Sequence, residues 1–140
     1  MEPTGWSALL ALQRATHATL QLLAAELVDL DLTASEISAL ANLADGRPRT
    51  VSQLGADIGS RPTTLTSVLD RLERRGLVTR GTRPGDRRAV LIELTDAGRA
   101  TAAVIRDAIS ALEQRALGGL SSETLNGLRA GLDALTEVAR

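Results

Sequence analysis

A mainly α-helical chain with one small β-hairpin is what this sequence predicts, on three observations. Apolar residues recur at intervals of three and four along most of its 140 residues, the period of an amphipathic helix. Phe and Tyr are absent and Trp6 is the lone aromatic, so the core must be built from Leu, Ala, Val and Ile; Leu and Ala are strong helix formers. The third observation is an interruption: "GTRPGDRR" (Gly81–Arg88) carries turn chemistry at Pro84-Gly85 between two short apolar segments.

The elements follow in order. Thr4 to about Asp29 reads as a long helix, with Leu9, Leu12, Leu20, Leu23, Leu27 and Leu30 on its apolar side. Thr33-Ala-Ser-Glu36 is a capping box, in which the hydroxyl takes a free backbone N–H and the carboxylate reaches back. It opens a second helix through Ile37, Leu40 and Leu43, ended by Gly46 and Pro48. Thr50-Val-Ser-Gln53 is another capping box, and a short helix runs through Val51, Leu54 and Ile58. Ser60 is the expected cap of the next helix, with Pro62 in its first turn, where the missing N–H does no harm. That helix turns Leu65, Val68, Leu69 and Leu72 inward and stops at Gly76. Two helices separated by a break of about four residues have helix-turn-helix spacing. Leu77–Arg80 and Ala89–Leu94 then read as a two-strand hairpin, the position of a wing. Thr95 caps a helix to about Leu117, "GGLSS" (Gly118–Ser122) breaks it, and the last helix carries Leu125, Leu128, Leu132, Leu135 and Val138.

The expected organisation is therefore a single domain over residues 1–140. It comprises a winged helix-turn-helix lobe at about residues 30–96, flanked by long helices at 4–29 and 95–138. The flanking helices offer more apolar surface than a thin helical layer can bury. That surplus fits a helical dimerisation region.

Composition excludes several function classes. Without Cys there is no disulfide, thiolate metal site or cysteine redox switch, and the single His17 cannot form a His cluster for a metal. No cofactor is expected. No apolar run approaches the ~18 residues of a membrane span, and the N-terminus has Glu2 and no basic region, unlike a signal peptide. A soluble, cytoplasmic protein is expected. No Gly-rich phosphate loop, nucleophile–His pair or carboxylate pair at catalytic spacing points to an enzyme.

Charge distribution says more than the net charge of −1. Residues 46–90 hold ten arginines against four acids, a local +6, while the rest of the chain holds −7. Such asymmetry is an electrostatic footprint of nucleic-acid binding, although a merely solvated basic face would have the same composition. The helix "RPTTLTSVLDRLERRG" places Arg61, Thr63, Thr64, Thr66, Ser67, Asp70, Arg71 and Arg74 opposite its apolar stripe, with Pro62 at its start. Short hydroxyls let a helix approach base edges, and Arg can bridge guanine O6 and N7 in the major groove. An ordinary exposed surface is the bland alternative for any one of these residues. On the hairpin, Arg83, Arg87 and Arg88 surround one acid, Asp86. Asp86 and Arg88 lie two apart, on one face of an extended segment. The expectation is that Asp86 holds the Arg88 guanidinium by a fork-like pair and aims it at a minor groove.

"LTASEISALANL", "TVSQLGADIGSRPTTLTSVLDRLERRGLVTR" and "GDRRAVLIELTDAGRA" together resemble the winged helix-turn-helix core of the multiple-antibiotic-resistance regulator (MarR) family. The most specific piece is the Asp-x-Arg wing followed by an apolar strand and Leu94-Thr95-x-x-Gly98. The resemblance implies a homodimeric transcription regulator, usually a repressor. The first and last two helices would interdigitate between copies, Arg61–Arg75 would be the recognition helix, and Arg88 would enter the minor groove of a double-stranded operator. Two copies would read a pseudo-palindrome with half-sites roughly 34–36 Å apart. It also implies release by a small anionic or phenolic ligand, for which Trp6 and His17 are the π-rich candidates. A helical dimer that meets an acidic protein partner without binding DNA is the competing reading.

Overall fold

In the computed structural model, residues 5–83 and 85–139 are described, with the backbone alone for Arg83 and for residues 86–89. The chain divides into two units, Met1–Ala108 and Ile109–Arg140.

The first unit begins with α1 (Ala8–Glu26), capped by the Ser7 hydroxyl, which accepts from the Leu10 N–H at 3.2 Å. The expected start at Thr4 lies outside the described residues, and the helix proper ends before Asp29. A 3₁₀ turn (Val28–Leu30) and the left-handed Asp31 (φ 53°) take the chain round into α2 (Ala34–Leu43). Both predicted capping boxes are formed. Thr33 Oγ1 accepts from Glu36 N and Glu36 Oε1 from Thr33 N. Thr50 and Gln53 repeat the exchange at the start of α3 (Val51–Ile58). Gly59 ends α3 at φ 68°, in the left-handed region that glycine enters without a Cβ clash.

Helix α4 (Pro62–Arg74) starts differently from expectation: Arg61, not Ser60, occupies the N-cap, and no side chain caps it. The Ser60 hydroxyl instead reaches the Arg61 carbonyl at 3.4 Å. The strands are longer than read from sequence, β2 spanning Val78–Arg83 and β3 Asp86–Leu94, and the sheet has a further member. Arg49 and Thr50 form β1, paired antiparallel with Ile92 and Leu91, so the order is β1-β3-β2. Two residues leave no periodicity to detect, which is why the hairpin alone was legible. The β2–β3 ladder pairs Val78 with Leu94 through Thr82 with Val90, then shifts register before the tip.

The core of this unit lies between α2, α3, α4 and the sheet. Leu40, Leu54, Leu65, Leu69, Leu72 and Ile92 are completely buried, and Ile105 from α5 (Asp96–Leu117) joins them. The start of α5 explains the Leu-Thr-x-x-Gly motif. Thr95 Oγ1 donates to the Gly76 carbonyl at 2.6 Å and accepts from Gly98 N at 3.0 Å, while Thr95 N donates to the Leu77 carbonyl at 3.1 Å. Gly98 sits so close that a Cβ there would stand 1.9 Å from the Leu77 carbonyl oxygen, inside any real contact distance. The motif is a tie between the end of α4 and the start of α5.

The second unit holds the rest of α5 and helix α6 (Ser122–Val138), capped by Ser121, whose hydroxyl accepts from Thr124 N at 3.1 Å. No residue of α6 is buried; its leucine stripe faces outward. No helix among the described residues is long and apolar enough to cross a membrane.

Candidate nucleic-acid interface

Helices α3 and α4 meet at a tight turn, with a Cβ on Gly55 only 3.3 Å from the Ser60 carbonyl oxygen. The turn presents the start of α4 outward. Its apolar stripe is fully used inside, so Arg61, Pro62, Thr63, Thr64, Thr66 and Ser67 are all exposed. Because Arg61 caps with its backbone only, the first amides of α4 lack intrahelical acceptors. Pro62 has no N–H to offer, which leaves those of Thr63 and Thr64 to meet an anion at the positive end of the helix dipole. Thr66 Oγ1 and Ser67 Oγ donate to the carbonyls one turn back, at 2.8 and 3.5 Å, so each keeps lone pairs free to accept from a base amino group.

The arginines of this region divide into two groups. Three are committed to the fold. Arg49 makes a charge-assisted fork on Asp45 (2.7 and 3.3 Å), with Asp57 at 3.6 Å and the Arg47 carbonyl at 2.7 Å. This holds β1 between α2 and α3. The Arg49 guanidinium and the Arg47 N–H hold the Asp45 carboxyl at about 2, against an ordinary 3.8. Arg80, on β2, reaches Asp70 at 2.7 Å and both oxygens of Glu73 at 3.1 and 3.2 Å. These bonds fasten the wing strand to α4, hold Glu73 below the usual carboxylate range and raise Arg80. Arg75 grips the backbone carbonyls of Asp31 and Leu30 at 2.6 and 3.0 Å. Arg61 and Arg74, by contrast, are exposed and make no ion pair among the described residues.

Arg71 stands between the groups. Its Nε is buried without a hydrogen bond, 3.7 Å from the nearly inaccessible Glu36 carboxylate, while the side chain as a whole is 43 % exposed. Asp70, read from sequence as part of the outward face, is turned to Arg80 instead. Arg49, Arg75 and Arg80 were counted in the basic surplus without being assigned this bracing work. For Arg75 no short-range signal marks it, since its acceptors lie forty-four and forty-five residues away.

On the wing, the backbone puts Asp86 opposite Arg83 at the start of β3, with Gly85 at φ 86° in the turn. The side chains of Arg83, Asp86, Arg87 and Arg88, and with them the expected Asp86–Arg88 pair, lie outside the described residues. Trp6 and His17 are both exposed. His17 sits roughly 13 Å of helical rise beyond the start of α1, so one protomer does not bring the two rings together. Among the described residues no group of His, Asp or Glu converges to hold a metal ion.

A model of the MarR family matches residues 32–90, from the start of α2 into β3. Among solved structures, NadR in complex with 4-hydroxyphenylacetate superposes with a TM-score of 0.87 at 22 % identity, over 99 % of this chain and 98 % of that one. CouR from Rhodococcus jostii RHA1, bound to p-coumaroyl-CoA, gives 0.81 at 28 % identity over 90 % and 89 %. The S. aureus MepR–DNA complex gives 0.80 at 20 % identity over 96 % and 99 % and shares the fold. Residues 32–90, which hold the helix-turn-helix, the open start of α4 and most of the braced wing, thus match the MarR family of transcriptional regulators.

Proposed function

We propose that this regulator acts as a homodimeric repressor that reads a pseudo-palindromic operator. In each half-site the start of α4 enters the major groove, where Arg61, Thr63, Thr64, Thr66, Ser67 and the outer end of Arg71 meet bases and phosphates. The wing carries Arg83, Arg87 and Arg88 to the adjacent minor groove, with Asp86 orienting Arg88. The observation that carries this reading is the uncapped, hydroxyl-rich start of α4, exposed while every apolar residue of the same helix is buried. The exposed leucines of α1 (Leu9, Leu20) and of α6 (Leu125, Leu128, Leu132, Leu135) are the surfaces a second copy would cover. Such stripes left in water favour self-association.

The effector is a small anionic or phenolic molecule whose binding releases DNA, with Trp6 and His17 as its candidate contacts. Support comes from the structurally similar NadR and CouR, crystallised with 4-hydroxyphenylacetate and p-coumaroyl-CoA.

The test is a gel-shift titration on the DNA upstream of the protein's own gene, at two salt concentrations, with excess non-specific competitor. A retained complex whose affinity falls steeply with salt is expected, because phosphate contacts release counterions. Arg88→Ala should weaken it roughly tenfold or more, and Asp86→Ala should weaken it less. Failure to retain that DNA, or any member of a random-sequence library, would favour the protein-interaction reading instead.

A further inference from the structure

The connector between α1 and α2 is the one described place where a non-glycine residue has positive φ: Asp31, at φ 53° and ψ 51°. It directly follows the short 3₁₀ turn, where the carbonyls run out of intrahelical donors. A single side chain meets them. Arg75, the C-cap residue of α4, donates Nη1 to the Asp31 carbonyl at 2.6 Å and Nη2 to the Leu30 carbonyl at 3.0 Å. Its own backbone is fixed by bonds from its N–H to the Arg71 and Glu73 carbonyls. The planar guanidinium can make two parallel bonds of this kind, and an ammonium cannot. On the other side of the connector, Leu23 and Leu27 are buried and anchor the end of α1. One arginine thus joins the C-cap of the recognition helix to the connector that follows α1.

We infer that Arg75 is a positioning residue that sets the separation of the two recognition helices, and so the half-site spacing the dimer accepts. This rests on the homodimer reading above, in which α1 belongs to the interface. If α1 is held by the partner, each α4 is placed relative to the dimer axis through the α1–α2 connector, and Arg75 closes that link from the α4 side. Although it belongs to the basic surplus of residues 46–90, its fork is filled by backbone carbonyls and makes no phosphate contact.

The experiment uses the full chain, Arg75→Gln and Arg75→Lys. Each is titrated on the operator, on versions with one base pair added or removed between half-sites, and on a single half-site, with sedimentation run in parallel. Wild type should prefer one spacing sharply, because each base pair moves a half-site by about 3.4 Å. Arg75→Gln should lose about tenfold on the preferred spacing, lose little on the altered spacings and the half-site, and keep the wild-type salt dependence. Arg75→Lys, with one compact donor group, should fall between. Equal loss on every DNA with a salt slope shallower by about one would make Arg75 a phosphate contact and overturn the inference. Unchanged spacing preference in folded Arg75→Gln would overturn it too. A wild-type chain that sediments as a monomer or retains no operator would defeat the dimer reading itself, and the inference with it. That failure shows in wild type, whereas failure of the link alone shows only in the variants.

Discussion

Helices α4 and α6 carry almost the same apolar signature and meet opposite fates. In α4, Leu65, Val68, Leu69 and Leu72 are at most 1 % exposed; in α6, Leu125, Leu128, Leu132 and Leu135 are 36–45 % exposed. Spacing by threes and fours puts residues on one side of a helix in both cases. It carries no information on what covers that side. Around α4, helices α2 and α3 and strand β2 supply the cover. For α6 nothing within its own unit does so completely, and the cover proposed above is another copy of the chain. The same regularity therefore marks a core in one place and an exposed stripe in the other.

That comparison is best broken by deleting the same atoms from each stripe. Leu69→Ala should cost about 2–5 kcal/mol in thermal or urea unfolding, since it leaves a cavity in a closed core. Leu132→Ala should cost the protomer under about 1 kcal/mol but shift its self-association toward monomer on dilution, read by sedimentation velocity. Equal losses of protomer stability would mean that α6 is as covered as α4.

A second contrast concerns how each unit is held. Gly98→Ala forces a methyl into the Leu77 carbonyl, and a loss of about 1–3 kcal/mol is expected in the same unfolding assay. Gly131→Ala in α6 meets nothing within 4 Å and should stabilise the helix by up to about 1 kcal/mol. A neutral Gly98→Ala would show that the tie between β2 and α5 yields easily.

The caps sharpen the comparison at lower amplitude. Thr33→Ala removes the hydroxyl half of a capping box, leaving the backbone bond to the buried Glu36, and should cost about 1 kcal/mol. Ser121→Ala, at the exposed start of α6, should cost less, by helix content and melting temperature.

The smallest expected effect is electrostatic. Asp45 has a folded-state pKa of about 2 against an ordinary 3.8, so its contribution is complete above pH ~4 and is lost as pH falls through ~2. An unfolding series across that window should therefore slope more gently in Asp45→Asn than in wild type. Identical slopes would show that the Arg49 fork does not survive in solution.

Local signals explain what could be read early. The capping boxes at Thr33 and Thr50 and the leucine stripes act within four residues, and each formed as expected. Where the turn geometry or a neighbouring strand intervenes, reading failed. Ser60 lost the cap to Arg61 because the tight α3–α4 turn directs its hydroxyl to the Arg61 carbonyl. β1 went unseen because two residues make a strand only when β3 lies beside them.

The sequence by itself determined the helices, the two capping boxes, the hairpin and the basic surplus of residues 46–90. These depend on backbone propensity, periodicity and composition, all carried by short stretches of chain. Only the tertiary structure decided which arginines brace the fold and which stay exposed. Arg49, Arg75 and Arg80 are spent on Asp45, on the Leu30 and Asp31 carbonyls, and on Asp70 with Glu73, whereas Arg61 and Arg74 stay exposed. The physical reason is reach. A guanidinium finds its acceptors in space, and for Arg75 those acceptors lie forty-four and forty-five residues back along the chain.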